Sequence, residues 1–349
     1  MNNNTILKPS LFFSMTWDFL NAYIPSQHQD SKKTAKSYTD ALTIFRRYLT
    51  DTRKIPIEKF EFKDLTYDFL LDYRIFLEDE DYKPATVNHR LTVVTTYLKY
   101  AASRSTDIYQ IYMNAAEVPY VTVPSRIRDM IESTEAVAAL LSAPGTSKLG
   151  IRDQIILVIL YDTAIRADEL LSLELKDVNL SADSPYLRIR GKGDKERFVA
   201  LSPKTMPLLE QYIRMFHPDQ RRRDRPFIYT TVKGMTAPMS ERNLERIVEK
   251  YGRIIKSNFP DVPDKVTPHM LRRTRATGWY RAGVPIETIA LILGHADAKT
   301  TRKSYAKPSV EMLKEDMSKG SDTGIISNGY NEEPLWKDDE ELARRCGVR

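Results

Sequence analysis

Six residues of this 349-residue chain sit where side chains can do chemistry. They are Arg166 in "TAIRADELLSL", Lys192 in "RGKGDKER", His269 and Arg272 in "TPHMLRRTRATGWY", His295 in "LGHADAKTT", and Tyr305 just beyond. Singly, each has an ordinary explanation: a helix-end arginine pairs with an acid, a Gly-Lys-Gly is a hairpin turn, and most tyrosines pack. Jointly they suit transesterification at a phosphodiester. Two arginines can clamp non-bridging oxygens through paired hydrogen bonds and offset the charge that develops there. A tyrosine hydroxyl, with a pKa near ~10, needs a proton acceptor before it attacks, and histidine titrates in the right range. A lysine on a flexible hairpin can bring the leaving alkoxide its proton. His269 and Arg272 are three apart and share one helix face; Pro268 places them in a first turn, where free N–H groups favour phosphate.

The elements that must position these groups follow from pattern. The first hundred residues predict helices with inner stripes at Tyr38, Leu42, Phe45, Tyr48 and Leu49, at Leu65, Phe69, Leu70, Tyr73 and Phe76, and at Val87, Leu91, Val94, Tyr97 and Leu98. The last of these starts near Pro84 and offers Lys83, Thr86, Asn88, His89 and Arg90 for phosphate and base-edge contacts. "EVPYVTVPSRIRDMI" is read as an extended linker. Beyond it come a helix opened by Thr134 and Glu135, the long apolar helix "GIRDQIILVILYDTAI", and a strand–turn–strand over "PYLRIRGKGDKERFVAL", where Leu187 and Ile189, then Phe198 and Ala200, alternate around Gly-Lys-Gly-Asp. Helices are expected at about 203–216, 240–258, 268–282, 286–293 and 309–317, with one more short helix in "EPLWKDDEELARRCG".

The order Arg, hairpin Lys, His-x-x-Arg, "LGH", Tyr strongly resembles the tyrosine recombinase (phage integrase) family. The resemblance covers roughly residues 134–317 by motif and the first part by pattern alone. It implies a mainly α fold with a small antiparallel β-sheet: a helical-bundle core-binding domain (1–116), a linker (117–132), a mixed α/β catalytic domain (133–318) and a C-terminal tail (319–349), the two domains forming a clamp around DNA and a C-terminal segment, either "SVEMLKEDM" or the final helix, docking on a neighbouring subunit. It implies roles as well: Tyr305 as nucleophile forming a 3′-phosphotyrosyl link, His269 as general acid/base, and Lys192 as acid to the 5′-oxygen, with Lys195 as its rival. Arg166, Arg272 and His295 stabilise the pentavalent phosphate, supported by Glu169. Bond energy stays in the phosphotyrosine, so neither ATP nor a metal cofactor is required. Two departures stand out. Arg273 and Arg275 replace a histidine and an aromatic residue of many relatives, offering further DNA-phosphate contacts, and the interval from His295 to Tyr305 is one residue longer than in many members.

Composition agrees with such a protein. The net charge is +6; the last 31 residues carry −2, so the first 318 carry +8, which favours a polyanionic partner. The single cysteine, Cys346, cannot form an internal disulfide, which fits a reducing, cytoplasmic setting, nucleoid-associated when DNA is bound. Neither a signal peptide nor a bilayer-spanning run is evident. The five histidines lack metal-ligand spacing. The expected partners are double-stranded DNA carrying specific recombination sites and further copies of the chain in a tetramer, with room for accessory proteins. The expected function is site-specific recombination for a mobile element. The alternatives are Xer-type dimer resolution, type IB topoisomerase-like relaxation, or a catalytically silent DNA-binding protein.

Overall fold

The computed structural model describes residues 8–27, 31–124, 129–180, 184–191, 196–219, 221–232, 234–295, Thr301 and 344–345. The chain divides into two compact units between residues 127 and 128.

Among the described residues, the named elements of the first unit are all helical. Residues 12–27 wind in short 3-10, α and π turns, followed by α1 (Ser31–Arg47), α2 (Tyr67–Asp79), α3 (Pro84–Ala102) and α4 (Tyr109–Ala116). Thr66 caps α2 through the Phe69 N–H at 3.1 Å, and α3 starts on Pro84, whose missing N–H has no partner to lose there. The three expected stripes face inward: all their residues are buried except half-buried Tyr38 and Phe76. The core is unusually aromatic. Phe12 meets Phe45, Phe60, Phe62 and Tyr97 at centroid separations of 5.1–5.7 Å, mostly edge-on or tilted, as ring quadrupoles prefer.

The second unit opens with α5 (Thr134–Ser142), capped by Ser133, and the central helix α6 (Lys148–Asp162), capped by Ser147. α6 buries Ile151, Ile155, Ile156, Leu157, Ile159 and Leu160, so it is apolar nearly all round, as an enclosed helix must be. Next come α7 (Ala167–Ser172) and an antiparallel sheet of β1 (Val178–Asn179), β2 (Tyr186–Arg190) and β3 (Glu196–Ala200) in the order β1-β2-β3. Then follow α8 (Met206–Phe216), a hairpin of β4 (Tyr229–Val232) and β5 (Met235–Pro238), α9 (Glu241–Lys256), α10 (Pro268–Arg281) and α11 (Ile286–Leu293). The β4–β5 hairpin was not among the expected elements.

One expectation is corrected in the first hairpin. Leu187 and Ile189 of β2 are fully buried, but on β3 the inward positions are Arg197 and Val199. Phe198 is 62% exposed and packs edge-on against Tyr186 on the outer face. The register Leu187↔Val199 and Ile189↔Arg197 decides this, because a one-residue slip in parity reverses every side chain of a strand. The expected helix at 309–317 and the expected tail helix lie outside the described residues, apart from two helical positions at 344–345.

Candidate active site

Arg166 precedes the first turn of α7 in extended conformation, and Glu169 closes that turn by accepting the Arg166 backbone N–H at 2.8 Å. The same carboxylate accepts the Arg166 side chain at 2.9 Å. Two residues earlier, Ala164 is left-handed (φ 51°) and fully buried, and its carbonyl accepts Arg272 Nη1 at 2.8 Å. An alanine in that conformation costs roughly 1–2 kcal/mol, which the surrounding packing must offset.

α10 begins with Thr267 capping the Met270 N–H at 3.2 Å and Pro268 in the first turn. His269, exposed, and Arg272, 1% exposed, follow one turn apart. Arg166, His269 and Arg272 line one cavity of about 220 Å³, together with Thr267 and the carboxylates Asp168 of α7 and Glu241 and Glu245 of α9.

α11 stops at Gly294 in left-handed conformation (φ 63°), and the His295 N–H then returns to the Ala290 carbonyl at 3.0 Å. This turn brings His295 Nε2 to 3.1 Å from Arg272 Nη2, while Arg272 Nη2 also donates to the Leu293 carbonyl at 2.7 Å. A guanidinium carries only donors, so Nε2 accepts; Nδ1 then carries the ring proton and faces Thr301 Oγ1 at 2.8 Å. Burial, then the charges of Arg272, Arg166 and Arg197 and the proximity of His269, push the His295 pKa down to about 4. The imidazole is therefore neutral at physiological pH, unlike an exposed histidine.

Two residues that sequence reasoning did not single out complete the cluster. Thr301 is fully buried against His295. Arg197 grips Glu169 with both terminal nitrogens, at 2.9 and 2.8 Å, and donates Nε to the Ile292 carbonyl at 3.0 Å. Burial alone would raise the Glu169 pKa. The Arg197 hydrogen bonds, the Arg166 backbone N–H and the two guanidinium charges outweigh it and hold the carboxyl below its usual range. No motif marks Arg197; only strand register reveals its face.

Arg166, His269, Arg272, His295 and Glu169 thus come together. Lys192, Lys195 and Tyr305 lie outside the described residues. The expected DNA contacts separate by environment. Lys83 and His89 are exposed, and Thr86, His89 and Arg90 line an open groove with Lys33, Lys36 and Arg47 of α1. There His89 Nε2 lies 2.8 Å from Ser37 Oγ, and Arg90 stacks on Tyr82 at 3.6 Å. Asn88 instead turns its amide to the Val121 backbone, with two hydrogen bonds of 2.8 Å. Arg273, 8% exposed, donates to the Asp129 carbonyl at 3.1 Å, and Arg275 pairs with Asp162 at 3.5 Å between the rings of Tyr161 and Trp279. Asn88, Arg273 and Arg275 are thus each engaged within their own unit. In "RRRDR", residues 221–224 are exposed. Among the described residues no helix is long and apolar enough to cross a membrane.

A cavity with two guanidiniums and an imidazole, and a second, neutral imidazole behind them, can hold an anionic phosphoryl centre and move a proton beside it. Comparison with known proteins agrees with this chemistry. Residues 132–312 match the phage integrase family, and residues 12–113 match the phage integrase SAM-like domain. The tyrosine recombinase XerC of Staphylococcus haemolyticus is 28% identical over 296 residues, covering 85% of this chain and 93% of that protein. The XerC of Chlamydia trachomatis serovar L2 is 26% identical over 308 residues, covering 84% and 93%. Among solved structures, the Tn1549 transposon integrase in complex with a circular intermediate DNA superposes with a TM-score of 0.65 at 13% identity, covering 87% of this chain and 99% of that one. The XerH site-specific recombinase bound to its difH substrate gives 0.61 at 20%, covering 91% of each chain. With its motifs in family order and more than half its length matched, the chain belongs to the phage integrase family, the tyrosine recombinases that cut and rejoin DNA.

Proposed function

We propose that this recombinase moves a mobile element by strand exchange between specific DNA sites, with Tyr305 as nucleophile. The observation that carries the chemistry is the convergence of Arg166, His269 and Arg272 on one cavity, with His295 bonded to Arg272. In the proposed step Tyr305 Oη attacks the phosphorus and His269 accepts the phenolic proton. The P–O5′ bond breaks, Lys192 protonates the departing 5′-oxygen, and a 3′-phosphotyrosyl ester remains. Arg166 and Arg272 hold the non-bridging oxygens, where negative charge grows. His295 accepts from Arg272 through Nε2 and so holds that guanidinium in place beside the phosphate. The reverse step, with a 5′-hydroxyl from a partner strand, rejoins DNA without ATP because the ester conserves the bond energy. Two sites and both strands of each call for four copies of the chain; the lambda integrase structure, a tetramer bound to a Holliday junction, has this fold. The groove between α1 and the start of α3 supplies Lys36, Arg47, His89 and Arg90 for the backbone of the same duplex.

A second reading, resolution of replicon dimers, is favoured by one observation: the curated relatives carry the name XerC and align over about nine-tenths of their length. Covalent capture separates the two. DNA crosslinked to the chain in its native cells is denatured, recovered and sequenced. Ends of an element joined to varied flanks support transposition or integration. A single fixed chromosomal locus supports resolution and overturns the mobile-element proposal.

A further inference from the structure

Arg197 does not line the cavity, yet it ties the start of α7, which carries Arg166, to the end of α11, which precedes His295. It lies on the inward face of β3, opposite Ile189, two residues after the Lys192–Lys195 stretch. Its fork holds Glu169, which in turn fixes both the backbone and the side chain of Arg166 at the start of α7. Its Nε–H holds the Ile292 carbonyl in the last turn of α11, three residues before His295. Its guanidinium also packs beneath Gly294: a Cβ built at Gly294 would lie 2.7 Å from Arg197 Nη1. The Arg197 side chain is 15% exposed and Glu169 is 5% exposed, so these bonds form largely away from water.

We infer that Arg197 is a positioning residue for strand cleavage: one planar fork that sets the hairpin strand, Arg166 and His295 in a fixed mutual arrangement. This rests on the phosphoryl-transfer function proposed above. A carboxylate in one direction and a backbone carbonyl in another need three N–H groups in a rigid plane, which arginine has. Lysine, a single ammonium on a flexible stem, can match the charge but cannot span both acceptors. Without the fork, Glu169 retains Arg166 as its near partner, with Arg272 at 3.9 Å, and the end of α11 loses its tie to β3. A shift of the order of 1 Å among groups that must meet one phosphate costs about 10²-fold in rate.

The test uses the full-length protein as wild type, Arg197→Lys and Arg197→Met. The substrate is a nicked duplex that the wild type selects from a random-sequence library. Three quantities are read: the single-turnover rate of covalent adduct formation by folded protein, the DNA dissociation constant, and the His295 imidazole titration by NMR without DNA. His295 is faced by Arg272 and His269 of α10, Arg166 at α7, Arg197 of β3 and the Thr301 hydroxyl. The expected result is a fall of about 10²-fold in adduct rate for both variants, with DNA affinity unchanged. In Arg197→Met the His295 titration also moves upward from about 4, because one of the charges that depress it is gone. Arg197→Lys keeps a positive charge, so its slow rate assigns the loss to geometry; it also decides the matter if Arg197→Met does not fold. An unchanged adduct rate in folded Arg197→Lys overturns the positioning role while leaving the functional proposal intact. Absence of any adduct from wild type overturns the functional proposal, and this inference with it.

Discussion

Glu169→Gln is the substitution that most directly stresses the physical account of the site. The Glu169 carboxylate is 5% exposed and accepts four hydrogen bonds: two from Arg197, one from the Arg166 side chain and one from the Arg166 N–H. Glutamine is nearly the same size, so no cavity forms. Its amide nitrogen, however, must face N–H donors, and the negative charge that offsets two adjacent guanidiniums disappears. Removing one partner from a buried pair costs about 3–5 kcal/mol, because the remaining charge stays buried. For a domain of 150–250 residues each kcal/mol lowers Tm by roughly 2–4 °C, so calorimetry should show a drop of about 6–20 °C at neutral pH. The pH dependence has a definite sign. The folded carboxyl titrates below its unfolded value of about 4.3, so its contribution is complete above that pH and is lost as pH falls through the folded pKa. The gap between wild type and Glu169→Gln should therefore close below about pH 4. A variant with unchanged Tm at pH 7, or a gap that persists undiminished into acid, would refute the claim that the arginines stabilise this carboxylate.

Other consequences follow from the same geometry. Gly294→Ala must take a left-handed φ of 63° and place a Cβ 2.7 Å from Arg197 Nη1; the backbone term alone is roughly 1–2 kcal/mol, so thermal unfolding should come several degrees lower and adduct formation should slow in the folded fraction. His295 is depressed to about 4, below an unfolded value near ~6.5, so between those limits the unfolded chain binds more protons and stability should rise with pH; NMR should show the ring neutral at pH 6 with its proton on Nδ1, and a protonated ring at that pH would contradict the assignment. Arg273→Met removes a buried donor to Asp129 and should lower Tm without changing the salt dependence of DNA binding; a shallower slope would reveal a phosphate contact instead.

Much of the site was legible because its residues lie beside punctuation that sequence displays. Pro268 marks a helix start, Gly294 marks a helix stop, and each places its neighbours at a terminus whichever way the helix later packs. The helical stripes were legible for the same local reason. What was hidden depends on partners far along the chain. Phe198 looks like the inward residue of β3, and that parity sends Arg197 to solvent; only pairing with β2 shows the reverse. Asn88 and Arg273 are polar types that usually stay wet, and each finds its acceptor more than thirty residues away. Thr301 carries no signal beyond a polar stretch, yet its hydroxyl sits against His295. The β4–β5 hairpin did carry a local signal, strand-favouring Tyr229, Thr230, Thr231 and Val232 before a turn glycine, but each strand is only four residues long.

In the proposed reaction Tyr305 becomes covalently joined to DNA at the site built from Arg166, His269, Arg272 and His295. A duplex nicked beside the cleavage position releases a short fragment and prevents religation, so the intermediate accumulates. Wild type is predicted to form a protein–DNA adduct that survives denaturant, and Tyr305→Phe, folded and still binding the same duplex, is predicted to form none. An adduct of equal yield from Tyr305→Phe, mapped to another residue, would contradict the account.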